Sequence, residues 1–415
     1  MGLDEKRLAV VSSHPIQYYA PWFRYLDGQT DIRLKVFYLW NFGITKQIDS
    51  GFNQIVKWDI PLLEGYSYEF VKNTSLKPGT SHFWGLQNPT LMQQVKAFSP
   101  TAILLMNYNY ASLYRLIWQW SKQSAPLLFR GDSHRLFCST GLRETLRRQW
   151  ISIIYRQFSG LLYVGKANAQ YFSYHGVNHS KMFFSPHSID NQRFFSKVGL
   201  AKSQSAKWKA KLGIPNNHRV VLFAGKFSQK KRPIDLLNAF IKAKLSKVSL
   251  LFVGAGPLSA ELKAAAAPYS NIHFAPFQNQ SQMPRTYAAG DVFVLPSYGS
   301  GETWGLAVNE AMCLGLPIIA SNHVGCAADL VQSDAKAEQQ GRRNGIVFRA
   351  GDVRALTSAL QTAFADPQRL LTWGANSKAI IRSYSYVQTT AGLQQALAAL
   401  AASRKPFSPS PFSQQ

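Results

Sequence analysis

Short runs of aliphatic and β-branched residues recur along the chain, each followed by a stretch in which apolar residues return at helical spacing. In the first half the runs fall at 7–12 (RLAVVS), 33–40, 101–106, 126–130 and 160–165. In the second half they fall at 219–225, 248–254, 271–275, 291–297 and 316–321. They are apolar throughout rather than alternating, which predicts strands buried on both faces, as in parallel sheets covered by helices. Two such series are too long for one sheet and predict two doubly wound, Rossmann-like α/β domains facing across a cleft. Between about 193 and 215 the strand pattern is lost while Lys, Ser and Gly accumulate. The reading is therefore a first domain over 1–195, a second over 196–385, and a C-terminal helix with a Pro/Ser-rich tail over 386–415. Composition predicts a disordered tail. No fixed-period repeat is present, which argues against a solenoid.

Composition changes this picture little. A chain of 415 residues favours two cores over one. With 46% hydrophobic and 13% aromatic residues it is far from a disordered composition. The three cysteines, Cys138, Cys313 and Cys326, lack metal-ligand spacing, and so few of them fit a reducing compartment. The first residues, MGLDEKRLAVVSSHP, do not read as a signal peptide. The longest candidate span, 151–165, is cut by Arg156 and falls short of the ~20 apolar residues a bilayer requires. A soluble, cytoplasmic protein is expected.

Charge changes more. The formal net charge is +25, the excess is shared by both halves, and the stretch from Asn191 to Ile234 holds no acidic residue. Such a balance attracts polyanions: nucleic acid, phosphorylated substrates or an anionic membrane face. In open parallel sheets ligands sit beyond the carboxyl ends of the strands. That rule selects SSHPIQYYAP (12–21), RGDSH (130–134), GKFSQKKRP (225–233), GAGP (254–257) and YGSGETWG (298–305). Lys226, Lys230, Lys231 and Arg232 precede a helix expected from Pro233, which makes an anion site or a solvated basic turn. GAGP lacks the third glycine of a dinucleotide loop, and a tight turn explains it equally well. His14 and Gln17 are placed to reach a ligand or to cap an aromatic-rich helix. Thr303 or Glu302 is expected to cap a helix from Trp304, leaving the N–H groups of Trp304, Gly305 and Leu306 open to the cleft. Glu310, eight residues after Glu302, returns to nearly the same face, where two carboxylate oxygens suit a vicinal diol.

Two glutamates eight apart in ETWGLAVNEAMCLGLPIIAS, preceded by GKFSQKKRP and AAGDVFVLPS, closely resemble the retaining nucleotide-sugar glycosyltransferases of family 4, which have the GT-B fold. The likeness covers roughly residues 218–365, with the first half similar only in outline. It implies a nucleoside-diphosphate-sugar donor and a glycan or lipid-linked glycan acceptor, in polysaccharide or glycolipid synthesis. By position it places Glu302 against the transferred sugar and Glu310 on the ribose hydroxyls. Lys226, where the family usually has arginine, and Lys231 would grip the diphosphate, with the amides of Trp304, Gly305 and Leu306 on phosphate and sugar. SSHP replaces the family's Gly-Gly turn. The family's first-domain histidine maps loosely onto RGDSH, so that Asp132 or His134 fills that role. No D-x-D clamp occurs, and neither metal nor cofactor is expected. A nucleotide-sugar isomerase on the same fold is the alternative enzyme. A non-catalytic polyanion-binding protein is the other, although no nucleic-acid motif appears and no nucleic-acid partner is expected.

One segment stays ambivalent. Arg143, Arg147, Arg148 and Arg156 share a helix with Leu142, Leu146, Trp150, Ile153 and Ile154. It reads either as an ordinary helix packed on the sheet or as one lying peripherally on an anionic membrane face.

Overall fold

The computed structural model describes residues 6–44, 47–49, 54–120, 125–137 and 141–402. Cys138 and the Pro/Ser-rich tail beyond 402 lie outside them. The first half supplies strands β1 (Lys6–Ser12), β2 (Ile32–Tyr38), β3 (Gln47–Asp49), β4 (Gln54–Val56), β5 (Ser67–Phe70), β6 (Ala102–Leu105), β7 (Leu127–Gly131), β8 (Gly160–Tyr163) and β9 (Met182–Phe184). All but β3 and β4 form a seven-stranded parallel sheet in the order β5-β2-β1-β6-β7-β8-β9. β3 and β4 pair with each other, antiparallel. The second half supplies β10 (Arg219–Ala224), β11 (Val248–Val253), β12 (Ile272–Ala275), β13 (Val292–Leu295), β14 (Ile318–Ser321) and β15 (Gly345–Phe348). They form a six-stranded parallel sheet in the order β12-β11-β10-β13-β14-β15.

Continuous burial of Leu8–Val11 in β1 and of Val220–Ala224 in β10 shows why these runs carry no polar alternation: helices cover both faces. Strand order reverses between β1 and β6 in one sheet and between β10 and β13 in the other. Those two switch points open the crevices where ligands lie, and the two sets of loops face each other.

The final helix, Tyr386–Ala402, packs on the first domain, with Tyr386, Leu393 and Ala396 in the same core as Trp22 and Phe23. Trp22 Nε1 donates to Thr390 Oγ1 at 3.1 Å, and Ser185 Oγ donates to the Thr389 carbonyl at 2.8 Å. The chain therefore crosses between domains twice, near 185–195 and near 381–386. Asn191 ties the crossings together, its Nδ2 donating to the carbonyls of Ile381 and Tyr384. Among the described residues no helix is long and apolar enough to cross a membrane.

Candidate active site

Between the domains lies a cleft of about 500 Å³. Its second-domain wall begins at the β10 turn. Gly225 leaves the sheet edge, and Phe227 N–H donates to the Ala255 carbonyl of the neighbouring GAGP turn at 2.9 Å. Gly254 holds φ +143°, and a Cβ there would run into the carbonyl of Gly225. The glycines of GAGP thus serve the close approach of two loops. Lys226, Lys230 and Lys231 line the cleft. Arg232 does not: it takes a left-handed conformation before Pro233 and pairs with Asp235 at 2.8 Å.

The helix that carries Glu310 starts later after Glu302 than the pattern suggests. It spans Leu306–Cys313, and Gly305 is its cap residue, at φ +97° and with no side-chain cap. Glu302 and Thr303 do not cap it. Trp304 is buried and donates from Nε1 to Asn309 Oδ1 at 2.9 Å. Thr303 Oγ1 instead donates across the cleft to Asp132 Oδ2 at 2.7 Å. Trp304, Gly305 and Leu306 do border the cleft.

Both glutamates are buried and face it, in opposite electrostatic settings. At Glu302 burial works against charge, but ion pairing with Lys231, a 2.9 Å hydrogen bond from Ser297 Oγ and nearby Lys230 hold the carboxyl below the usual range. At Glu310 burial wins and raises the carboxyl. Tyr287 donates its hydroxyl to Oε2 at 2.7 Å, and Tyr18 and Gln280 lie near the carboxyl, while Oε1 itself makes no hydrogen bond. A buried, half-satisfied carboxylate oxygen is expensive, and a ligand hydroxyl would satisfy it.

From the first domain, Asp132, His14 and Gln17 reach the cleft. Asp132 leaves 36% of its side chain open and lies 3.4 Å from His187 Nε2. Burial would raise Asp132, yet His187, Thr303 and Arg130 bring it down to about 2. Burial lowers His187, so the pair is an aspartate beside a neutral imidazole. Burial likewise lowers His14, to about 4, and its Nδ1 lies 3.0 Å from Ser13 Oγ. His134 is placed differently. Its Nε2 donates to the Glu302 carbonyl at 3.1 Å and its Nδ1 accepts from Leu136 N–H, so both nitrogens are spent on backbone outside the cleft lining. Sequence reasoning missed His187. It follows β9, a three-residue edge strand, so the strand-end rule had no strand to act on. Its ring stacks on Tyr19 with centroids 6.0 Å apart, and its carbonyl accepts from Asn309.

Among the described residues no three His, Cys, Asp or Glu side chains gather as a metal-ligand set. The domains are closed on one another. Asp59 accepts from Ser281 N–H at 3.0 Å, and both carboxylate oxygens of Asp329 lie 3.1 Å from Lys166 N–H.

Two Rossmann-like domains meeting over such a cleft define the GT-B class of glycosyltransferase folds. Residues 204–380, somewhat under half of the chain, match the family model described as glycosyl transferases group 1. It is 30% identical over 178 residues to the sulfoquinovosyl transferase SQD2 of Arabidopsis thaliana, across 43% of this chain and 32% of that protein. It is 26% identical over 218 residues to the D-inositol 3-phosphate glycosyltransferase of Kineococcus radiotolerans, across 49% and 48%. The chain spans a third to a half of the length of these curated relatives. A crystal structure of Anabaena Alr3699/HepE in complex with UDP and glucose superposes with a TM-score of 0.69 at 17% identity, covering 95% of this chain and 99% of that one.

Proposed function

We propose that this protein transfers a sugar from a nucleoside-diphosphate-sugar to an acceptor with retention at the anomeric carbon. The observation that carries the reading is the ordering of groups along one cleft: an anionic Glu302, a lysine floor, and a Glu310 with one open oxygen. Glu310 Oε1, the oxygen that Tyr287 leaves open, accepts a ribose hydroxyl. Lys226, Lys230 and Lys231 lie where a diphosphate extends between the glutamates. Negative charge grows on that diphosphate as the glycosidic bond breaks, and fixed cations in a dry site stabilise it most at that point. Glu302 stays ionised against the sugar, with the amides of the Trp304–Leu306 turn beside it. Asp132, an anion held by His187 and Thr303, faces the reaction from the acceptor side. No metal is needed in this scheme, because lysines neutralise the leaving group.

The acceptor is a glycan or a lipid-linked glycan approaching along the first domain, the half in which resemblance to relatives is weakest. The UDP and glucose of the Anabaena structure make UDP-hexoses the first donors to test. The test is a panel of nucleotide sugars scored by thermal shift, followed by acceptor screening with the best donor. A donor that stabilises the protein and yields an α-linked product from an α-linked donor supports the reading. Epimerised donor formed without acceptor would replace it with isomerisation.

A further inference from the structure

The helix Leu142–Tyr155 buries its apolar side chains at one end only, although Arg148 also donates to the Tyr174 carbonyl at 3.1 Å. Ile151, Ile154 and Tyr155 are buried in the first domain, whereas nearly every residue before them is exposed. Leu142 is 78% exposed, Leu146 58%, Trp150 48% and Ile153 39%. At ~100° per residue these four fall within an arc of about 80°, on the side of the helix opposite the buried stripe. The apolar residues that an ordinary sheet-packing helix would bury are here divided between two faces, and one of them points outward.

That outward face continues beyond the helix. Trp150 stacks on Tyr114 with centroids 6.1 Å apart and donates from Nε1 to its hydroxyl. Phe83 packs edge-on against Tyr114 at 5.1 Å, and Trp84, more than half exposed, packs against Phe83. Trp118 is exposed on the helix of Tyr114, Ala111–Trp120. Arginine surrounds this surface. Arg115, Arg143, Arg147 and Arg156 are exposed, and the helical spacing sets Arg143 and Arg156 on the two edges of the apolar arc. Glu144 is the one acidic residue in either helix, and it pairs with Arg147 at 3.3 Å.

We propose that this face docks on an anionic lipid bilayer. Leu142, Leu146, Trp150 and Ile153 enter the headgroup layer, and Arg115, Arg143 and Arg156 meet lipid phosphates. Charge separates this occupant from a second copy of the chain. A two-fold dimer through the same patch would bring like arginines together, whereas an anionic leaflet neutralises them. Indole and phenol rings with a polar edge are the side chains that favour a membrane–water interface, and a basic helix with one apolar face lies in that plane. The inference stands apart from the transferase reading, since it uses no cleft residue.

The test is sedimentation of the full chain with phosphatidylcholine vesicles, with and without phosphatidylglycerol, at low and high salt. Binding to the anionic vesicles that weakens with salt is expected. Arg143→Ala/Arg156→Ala should lose about fivefold per arginine. Leu142→Glu/Leu146→Glu should lose at least about tenfold. Both variants should keep the parent melting temperature, because the altered side chains are exposed, and the leucine variant, which alters no residue lining either cavity, should keep the parent nucleotide affinity. Equal binding to pure phosphatidylcholine, unchanged binding by the leucine variant, or no binding at low salt would overturn the proposal. So would a dimer in light scattering that the leucine variant dissociates.

Discussion

Removing Lys231 alone should harm the protein in two separable ways. Its ammonium pairs with Glu302, and both side chains are nearly closed to solvent, at 15% and 10% exposure. Solvent screening is therefore weak, and Lys231→Met leaves a buried carboxylate with only Ser297 and the nearby Lys230 to support it. Breaking a buried pair from one side costs about 3–5 kcal/mol. The remaining partners favour the lower figure, about 3 kcal/mol. For a domain of this size that lowers the melting midpoint by roughly 6–12 °C at pH 7. Glu302 titrates below its ordinary range because of the pair, so the pair's stabilisation is present above the unfolded carboxylate value and lost as pH falls through the folded one. Glu302→Gln added to Lys231→Met removes the stranded charge and should recover most of the loss. Turnover should not recover: each single variant loses on the order of 10²–10³ in rate, and the double variant stays inactive. The assay is a double-mutant cycle in melting midpoint alongside initial rates. Additive destabilisation, with no rescue in the double variant, would refute a buried pair. Near-normal turnover in the folded double variant would refute its role at the diphosphate and sugar.

Glu310→Gln should weaken nucleoside-diphosphate affinity by about tenfold, through loss of a charge-assisted hydrogen bond, with turnover at saturation changed less; calorimetric titration checks both. Because burial raises Glu310, the same affinity should fall on acidification before Glu302 loses its charge, and a pH series of the titration would show this. Asp132→Asn should lower turnover more than donor affinity, as expected of a group on the acceptor side; the split between kcat and the donor KM decides it. Gly254→Ala should destabilise by at least about 1–3 kcal/mol, since it drives a Cβ into the Gly225 carbonyl, and a lowered melting midpoint reports it.

The fold was legible wherever burial is two-sided. Every long apolar run became a strand, because parallel strands under helices have no polar face to write. The strands that escaped notice, β5, β9 and β15, are short edge strands, and β3 and β4 are paired strands of three residues each. There, residues such as Ser67, Tyr68 and Glu69 stand partly in solvent and leave no periodic mark. In the second domain the site could be read from one contiguous stretch, since Glu302 and Glu310 are brought together by a single turn and helix. In the first domain it could be read only in part: His14, Gln17 and Asp132 were named, but not His187. Asp132 and His187 stand 55 residues apart in the chain and meet only through the tertiary fold. Nothing local distinguishes His134, which braces backbone, from a histidine that faces a ligand. The start of the 306–313 helix was misplaced for a related reason: Thr303, with the chemistry of a cap, is drawn away by Asp132 in the other domain.

The double crossing between domains has a kinematic meaning. A body joined by one strand of chain can twist, tilt and slide about it. Here two strands run side by side and are stitched by Asn191 and by the Ser185 and Ser188 contacts to Thr389. Two adjacent tethers leave one easy rotation, a swing like that of a door on paired pins. A swing of that kind parts Asp59 from Ser281, Asp132 from Thr303 and His134 from the Glu302 carbonyl along a single arc, while Asn191 stays in place. The backbone that positions Glu302 is itself among the surfaces that separate, so the loop carrying Glu302 is braced from the first domain only when the door is shut.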